Sequence, residues 1–261
     1  MSYLLFDLGA TNLRVAAVSE ADWTKGELGE VRTVVHADSS HSTLTIFEQL
    51  MTELKPPDGF SVVAGGVTRK LAPLIPELTN TVSRPLYLEN DAALAGLGEA
   101  TLGAGQGRDI VAYVTVSTGV GGVRIVDGRI DRKAIGFEPG HQVINFDGES
   151  RTLEDYVSGR ALQAQFNQLP REITDKKIWQ EVARILAIGL YNLILHWSPE
   201  TVVVGGAMAL KMPGIDLSVV RQELGKLNRT LPSLPEIVPA TLGDLNGLYG
   251  AAVYLRQQLE E

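Results

Sequence analysis

Leu4-Leu5-Phe6-Asp7-Leu8-Gly9-Ala10-Thr11-Asn12-Leu13-Arg14-Val15 reads as a strand, a Gly/Thr turn and a second strand. The design returns at Ala112-Tyr113-Val114-Thr115-Val116-Ser117-Thr118-Gly119-Val120-Gly121-Gly122-Val123-Arg124-Ile125. Glycine at a hairpin tip lets backbone N–H groups approach an anion with no Cβ in the way. Two such hairpins facing each other would grip a polyphosphate from both sides. An ordinary β-hairpin, with Asp and Gly serving only the turn, is the plain alternative for either copy alone. The repetition favours the clamp.

Working outward, residues 13–19 and 31–36 continue the opening strand as two more. Leu44, Phe47, Leu50, Met51 and Leu54 have helical spacing, and Pro56-Pro57-Asp58-Gly59 stops that helix. Val62-Val63-Ala64 reads as a buried strand running into Gly65-Gly66. With its three prolines, the stretch from Val67 to Pro85 reads as a loop. A short strand at Leu86–Leu88 leads to a helix over Ala92–Leu102. Gly103-Ala104-Gly105-Gln106-Gly107 reads as a linker, which predicts a domain over 1–103 and a second over 104–245. Strands at 110–117 and 120–126 come next, then a long amphipathic helix from Ile178 to Trp197. Val202 to Gly206 is a strand meeting a glycine turn. The last helix, within 246–261, is expected to pack back on the first domain. Strands and helices in the same order twice over predict two α/β units of similar design.

Composition narrows the partners. The 261 residues carry a net charge of −8 and no basic cluster, which argues against nucleic acid. Cysteine is absent, so there are no disulfides and no thiolate metal sites. No charged leader precedes the first strand, and no apolar stretch is expected to reach bilayer length. The expectation is a cytoplasmic protein with no membrane partner.

Five groups can carry chemistry. At Asp7-Leu8-Gly9-Ala10-Thr11, the Thr hydroxyl and turn N–H groups can donate to phosphate, and Asp7 can hold a hydrated Mg²⁺. Asn90-Asp91 sits between a strand and a helix. Either residue can be an N-cap, and a carboxylate there can also be the general base for a hydroxyl. Glu138-Pro139-Gly140-His141 is a polar turn whose acid and imidazole can converge on adjacent sugar hydroxyls. Thr152-Leu153-Glu154-Asp155 has a capping-box pattern, in which Glu154 could merely be favourable charge in a first turn. Gly205-Gly206 is either a tight strand-to-helix turn or a flat place for a base.

Taken in order, these motifs resemble the sugar kinases of the actin–hexokinase superfamily and, within it, the ROK family. Asp7 to Arg14 is similar to the first phosphate motif and Ser117 to Gly122 to the second. Gly205-Gly206 resembles the adenosine motif, Gly247 to Ala252 the closing helix, and Glu89-Asn90-Asp91-Ala92 the segment of the catalytic aspartate. Glu138 to His141 matches the Glu-x-Gly-His element, and Leu153-Glu154 with Ser158-Gly159 matches the family's next segment. The resemblance implies two ribonuclease-H-like domains around a central cleft, with ATP and Mg²⁺ as cofactors and Asp91 as base. Asn90, Glu138, His141, Glu154 and Gly66 would bind the sugar. Asp7, Gly9, Thr11, Asn12, Arg14, Thr118, Gly119, Gly121, Gly205 and Gly206 would bind ATP. A homodimer is the family's expectation.

Two departures stand out. The interval Gln142–Thr152 is short and holds no cysteine, so the family's zinc is not expected. The usual sugar-recognition loop is not recognisable between Val67 and Arg84, which leaves the sugar open. A kinase acting on the 6-hydroxyl of a hexose or amino-hexose is the leading reading. Kinases of another polyol or of an acylated amino sugar remain alternatives, as does a non-catalytic sugar-binding regulator. The regulator is disfavoured because the first phosphate motif begins too early for a preceding helix-turn-helix.

Overall fold

The computed structural model describes residues 1–9, 11–35, 40–56, 58–146 and 149–260. The chain divides into two compact units: Met1–Gly98 together with Asp244–Glu261, and Glu99–Gly243. The first unit therefore takes the last helix, and its division from the second falls inside a helix.

Unit 1 is built on strands β1 (Ser2–Leu8), β2 (Asn12–Ser19), β3 (Glu30–Val35), β4 (Val62–Val67) and β5 (Leu86–Asn90). Their order across the sheet is β3-β2-β1-β4-β5. The first three are antiparallel, while β4 and β5 run parallel to β1. Strand β1 is apolar on both faces, as expected of a strand covered on both sides. Leu4, Phe6 and Leu8 join Phe47, Leu78 and Val82 in one core layer, under helices Ser40–Glu53 and Ile75–Val82. Alternation sends Leu5 and Asp7 to the opposite face, and helix Asn246–Glu260 packs against β1 and β4. That helix crosses helix Asp91–Leu102 at glycine. A Cβ on Gly250 would meet the carbonyl oxygen of Leu94, and one on Gly98 would meet that of Asn246 at 2.6 Å.

The expected loop from Val67 to Pro85 is instead a 3₁₀ turn over Arg69–Leu74 and a helix over Ile75–Val82. Pro73 falls inside the 3₁₀ turn, and Pro85 lies beyond the end of the helix. Pro76 lies in the first turn, whose N–H groups have no intrahelical partner anyway. Leu71, Leu74, Leu78 and Val82 supply the buried stripe.

Unit 2 repeats the topology. Its main strands are β6 (Ile110–Val116), β7 (Val120–Val126) and the short β8 (Arg129–Ile130), and a separate pair is formed by β9 (Val143–Phe146) and β10 (Glu149–Thr152). Strands β11 (Thr201–Gly205) and β12 (Glu236–Pro239) complete the sheet in the order β12-β11-β6-β7-β8. Again the first three are antiparallel, and the last two run parallel to the first. Both units thus have the ribonuclease-H-like arrangement, and the chain is an α/β protein of two such units.

Helix Lys176–Trp197 lies on this second sheet, with Val182, Leu186, Leu190 and Leu193 packed on Ala112, Val114, Val202 and Val204. At 22 residues it reaches the length of a bilayer span, contrary to the sequence expectation. Its apolar face is the core of unit 2.

Glu99 explains where the units divide. Fully buried, its carboxylate accepts from the N–H groups of Ala104 at 3.1 Å, Thr241 at 3.0 Å and Leu242 at 2.8 Å. The glycine-rich segment 103–107 is therefore wound tightly on Glu99 as part of unit 2.

Candidate active site

In unit 1 the parallel strands place chemistry at their carboxyl ends, where open α/β sheets bind ligands. Asp7, Gly66 and Glu89 are paired across β1, β4 and β5, and Val67 pairs with Asn90. Asn90 caps the helix that comes next, its side-chain oxygen accepting from Ala93 N–H at 3.1 Å. The next residue is Asp91, in that helix's first turn. Gly66 is what lets the helix start so close. A Cβ there would lie 3.0 Å from the Cα of Asp91. The Asn90 cap thereby sets the position of the Asp91 carboxylate.

Asp7 is buried, and its carboxyl is pushed up to about 7. Desolvation is the main cause, the negative charge of Asp91 adds to it, and Arg14 opposes it. Arg14 Nη1 donates to Asp7 Oδ2 at 3.4 Å, and its Nη2 lies 3.9 Å from Asp244. The last helix closes over the acid at Gly247, where a Cβ would sit 2.7 Å from Asp7 Cγ. Gly9 N–H donates to the Asn12 carbonyl at 3.0 Å, shaping the first hairpin, and Thr11 is exposed beside it.

In unit 2 the second hairpin turns through Ser117-Thr118-Gly119 and is anchored from below. The Ser117 and Thr118 carbonyls accept from Gly159 N–H at 2.7 Å and Arg160 N–H at 3.2 Å. Glu154 accepts from Val120 N–H at 2.7 Å and pairs with Arg160. A Cβ on Gly119 would meet that carboxylate at 2.7 Å. The capping box of the sequence exists, but its acid is Asp155, which accepts from Thr152 N–H and Oγ1 at 2.9 and 2.7 Å. Those bonds hold the Asp155 carboxyl below the usual range. Glu154 is thereby released to brace the hairpin, a role no local pattern signals because Val120 lies far away in sequence.

Glu138 and His141 are brought together by a one-turn 3₁₀ helix, with His141 Nδ1 at 3.3 Å from Glu138 Oε2. Pro139 and Gly140 bury the turn against β7. Gly121 sits on β7 opposite Thr115. Gly205 and Gly206 form the tight turn out of β11, Gly206 having a left-handed φ of 88°. A Cβ there would press to 2.3 Å from the Val116 carbonyl oxygen.

Among the described residues, no three His, Asp or Glu side chains come together as a metal cage. Asp7 with Asp91 is a pair of acids, which suits a cation that arrives with phosphate and brings its remaining ligands along.

The ROK family model matches residues 64–258. The chain belongs to the ROK family. Its relatives include the fructokinase of Lactococcus lactis subsp. cremoris, 27% identical over 66% of this chain and 66% of that protein. The xylose repressor of Bacillus subtilis is 25% identical over 61% of this chain, which spans 47% of the repressor's length. Among solved structures, the ROK family glucokinase of Streptomyces griseus, in complex with glucose and AMPPNP, superposes with a TM-score of 0.77. It is 22% identical, with 98% of this chain and 100% of that one covered. The fold is accordingly that of the two-domain ROK hexokinases.

Proposed function

We propose that this ROK protein is an ATP-dependent sugar kinase that phosphorylates a hexose or amino-hexose, on its 6-hydroxyl. The observation that carries the reading is the carboxylate pair of unit 1. Asp91 is fixed by a capped helix start, within electrostatic reach of the buried Asp7. The sugar hydroxyl would give its proton to Asp91 as its oxygen attacks the γ-phosphorus. The bond to the β-phosphate oxygen breaks, and ADP leaves with that electron pair.

Asn90 has its oxygen on the helix and its –NH₂ group left for a sugar hydroxyl. Glu138 and His141 would hold neighbouring hydroxyls, with Glu154 bracing the hairpin under the phosphates. Asp7 would hold the Mg²⁺ that accompanies ATP, with Gly9, Thr11, Asn12, Arg14, Thr118, Gly119 and Gly121 around the phosphates and Gly205-Gly206 against the base. The proposal requires Asp91 of unit 1 and the Glu138–His141 turn of unit 2 to act on one sugar.

Relatedness to xylose repressors supports a second reading, a sugar-binding regulator without turnover. One experiment separates the two. With Mg-ATP and a panel of hexoses and amino-hexoses, ADP release is expected with at least one sugar. Sugar binding without any ADP release would overturn the kinase reading in favour of the regulator.

A further inference from the structure

The Glu138–His141 turn is anchored through the residue that follows it. Gln142 adjoins His141 directly, and its side-chain amide is fully used. Nε2 donates to the Pro139 carbonyl at 2.8 Å and to the Gly189 carbonyl at 3.3 Å. Oε1 accepts from Asn192 Nδ2 at 3.0 Å. Its backbone carbonyl accepts from Leu153 N–H at 2.9 Å. One planar amide thus joins the turn bearing Glu138 and His141 to helix Lys176–Trp197, while the backbone carbonyl of the same residue holds the segment leading into Glu154.

The functional end of the turn needs such an anchor. His141 and Glu138 are 57% and 36% exposed and pair with each other at 3.3 Å, so the position of the turn decides where the pair points. Pro139 and Gly140 seat the turn on β7, Phe137 just before it packs edge-on against Trp197 with ring centroids 5.1 Å apart, and the Gln142 amide adds directed bonds to these apolar contacts. The two N–H groups of an amide form a rigid fork, one prong inside the turn and one on a long core helix. Rocking the turn would break both bonds and strand two carbonyls. The helix itself is drawn in close at Gly189, where a Cβ would lie 2.5 Å from Leu153.

We infer that Gln142, fixed by Asn192 and Gly189, is the positioning residue that aims Glu138 and His141 at the sugar. This rests on the sugar-kinase reading, and it assigns Gln142 no contact with substrate.

The test uses the full chain with Gln142→Met, which keeps length and volume but cannot donate, and Asn192→Leu, which unfixes the amide. Gln142→Met is expected to raise the sugar KM about ten- to a hundredfold, with the Mg-ATP KM changed less than about twofold. Asn192→Leu should shift the sugar KM in the same direction more weakly. The double variant should be no worse than Gln142→Met, because both act through one amide. A second readout does not need turnover. The His141 imidazole signal in a ¹H–¹³C NMR spectrum should shift toward that of an unfolded histidine in Gln142→Met, while core methyl signals stay in place. If no sugar supports ADP release in the unmodified protein, the kinase reading fails and the His141 signal still decides the anchor. An unmoved His141 signal, or sugar and ATP KM rising together, would overturn the inference.

Discussion

On the first strand of each five-stranded sheet, the residue paired with the glycine of the parallel neighbour is Asp7 in unit 1 and Thr115 in unit 2. Across the hairpin, Asp7 faces Arg14, whereas Thr115 faces Gly121. The two sheets share order and direction, yet the same seat holds a buried carboxyl in one and a small hydroxyl and glycine in the other. In unit 1 the seat holds a carboxyl within electrostatic reach of Asp91. Unit 2 uses it for close backbone approach, with Gly206 folded directly over Thr115 and Val116. The two units thus share a topology and differ in the residues at one register position.

The largest expected effect tests the charged seat. Asp91→Asn should lower ADP release by about 10³-fold while ATP binding, measured by calorimetry, survives. Retention of full turnover would remove Asp91 as base and leave the two seats without a chemical contrast. Next comes Asp7. Its carboxyl titrates at about 7 in the folded chain against 3.8 as the ordinary value. Between those values the folded state holds the proton and the unfolded state does not, so this group's contribution to stability falls as pH rises from about 4 to 7. Asp7→Asn should flatten that part of the stability–pH curve in urea melts. The matching position in unit 2, Thr115, predicts no such slope of its own.

The smallest effects come from the matched glycines. Gly205→Ala drives a methyl to 2.5 Å from the buried Tyr113 hydroxyl, and overpacking of this kind costs about 1–3 kcal/mol. Gly66→Ala meets Asp91 Cα at 3.0 Å, so about 1 kcal/mol is expected, with a disproportionate loss of kcat as the base shifts. Equal losses of stability and equal losses of kcat for the two variants would erase the distinction between a packing glycine and a site glycine.

Much of the fold and the site is legible in the sequence because the signals are local. The hairpins announce themselves through Asp7-Leu8-Gly9 and Ser117-Thr118-Gly119, and Asn90 before an apolar run reads as a cap. Helix Ile75–Val82 is obscured by Pro73, Pro76 and Pro85, although Leu71, Leu74, Leu78 and Val82 carry its period. The β9–β10 pair lies outside the sequence expectations, and the Asp147-Gly148 pair between the two strands in sequence is the hairpin signal that points to it. Glu154 and Gln142 are out of reach for a different reason. Their partners, Val120, Gly189 and Asn192, are distant in sequence, and hydrogen bonds to backbone carbonyls or N–H groups leave no residue-type signature.

The crossing of the last helix over the first strand has a consequence for synthesis. Unit 2 is encoded without interruption, and all of its residues leave the ribosome before Asn246 does. Unit 1 is split, its sheet made first and its closing helix last. Its strands must wait through the translation of the whole intervening unit for Gly250 to reach Leu94 and Gly247 to reach Asp7. Asp7, close to the start of the sequence, thus meets its final surroundings only after Gly247 has been made.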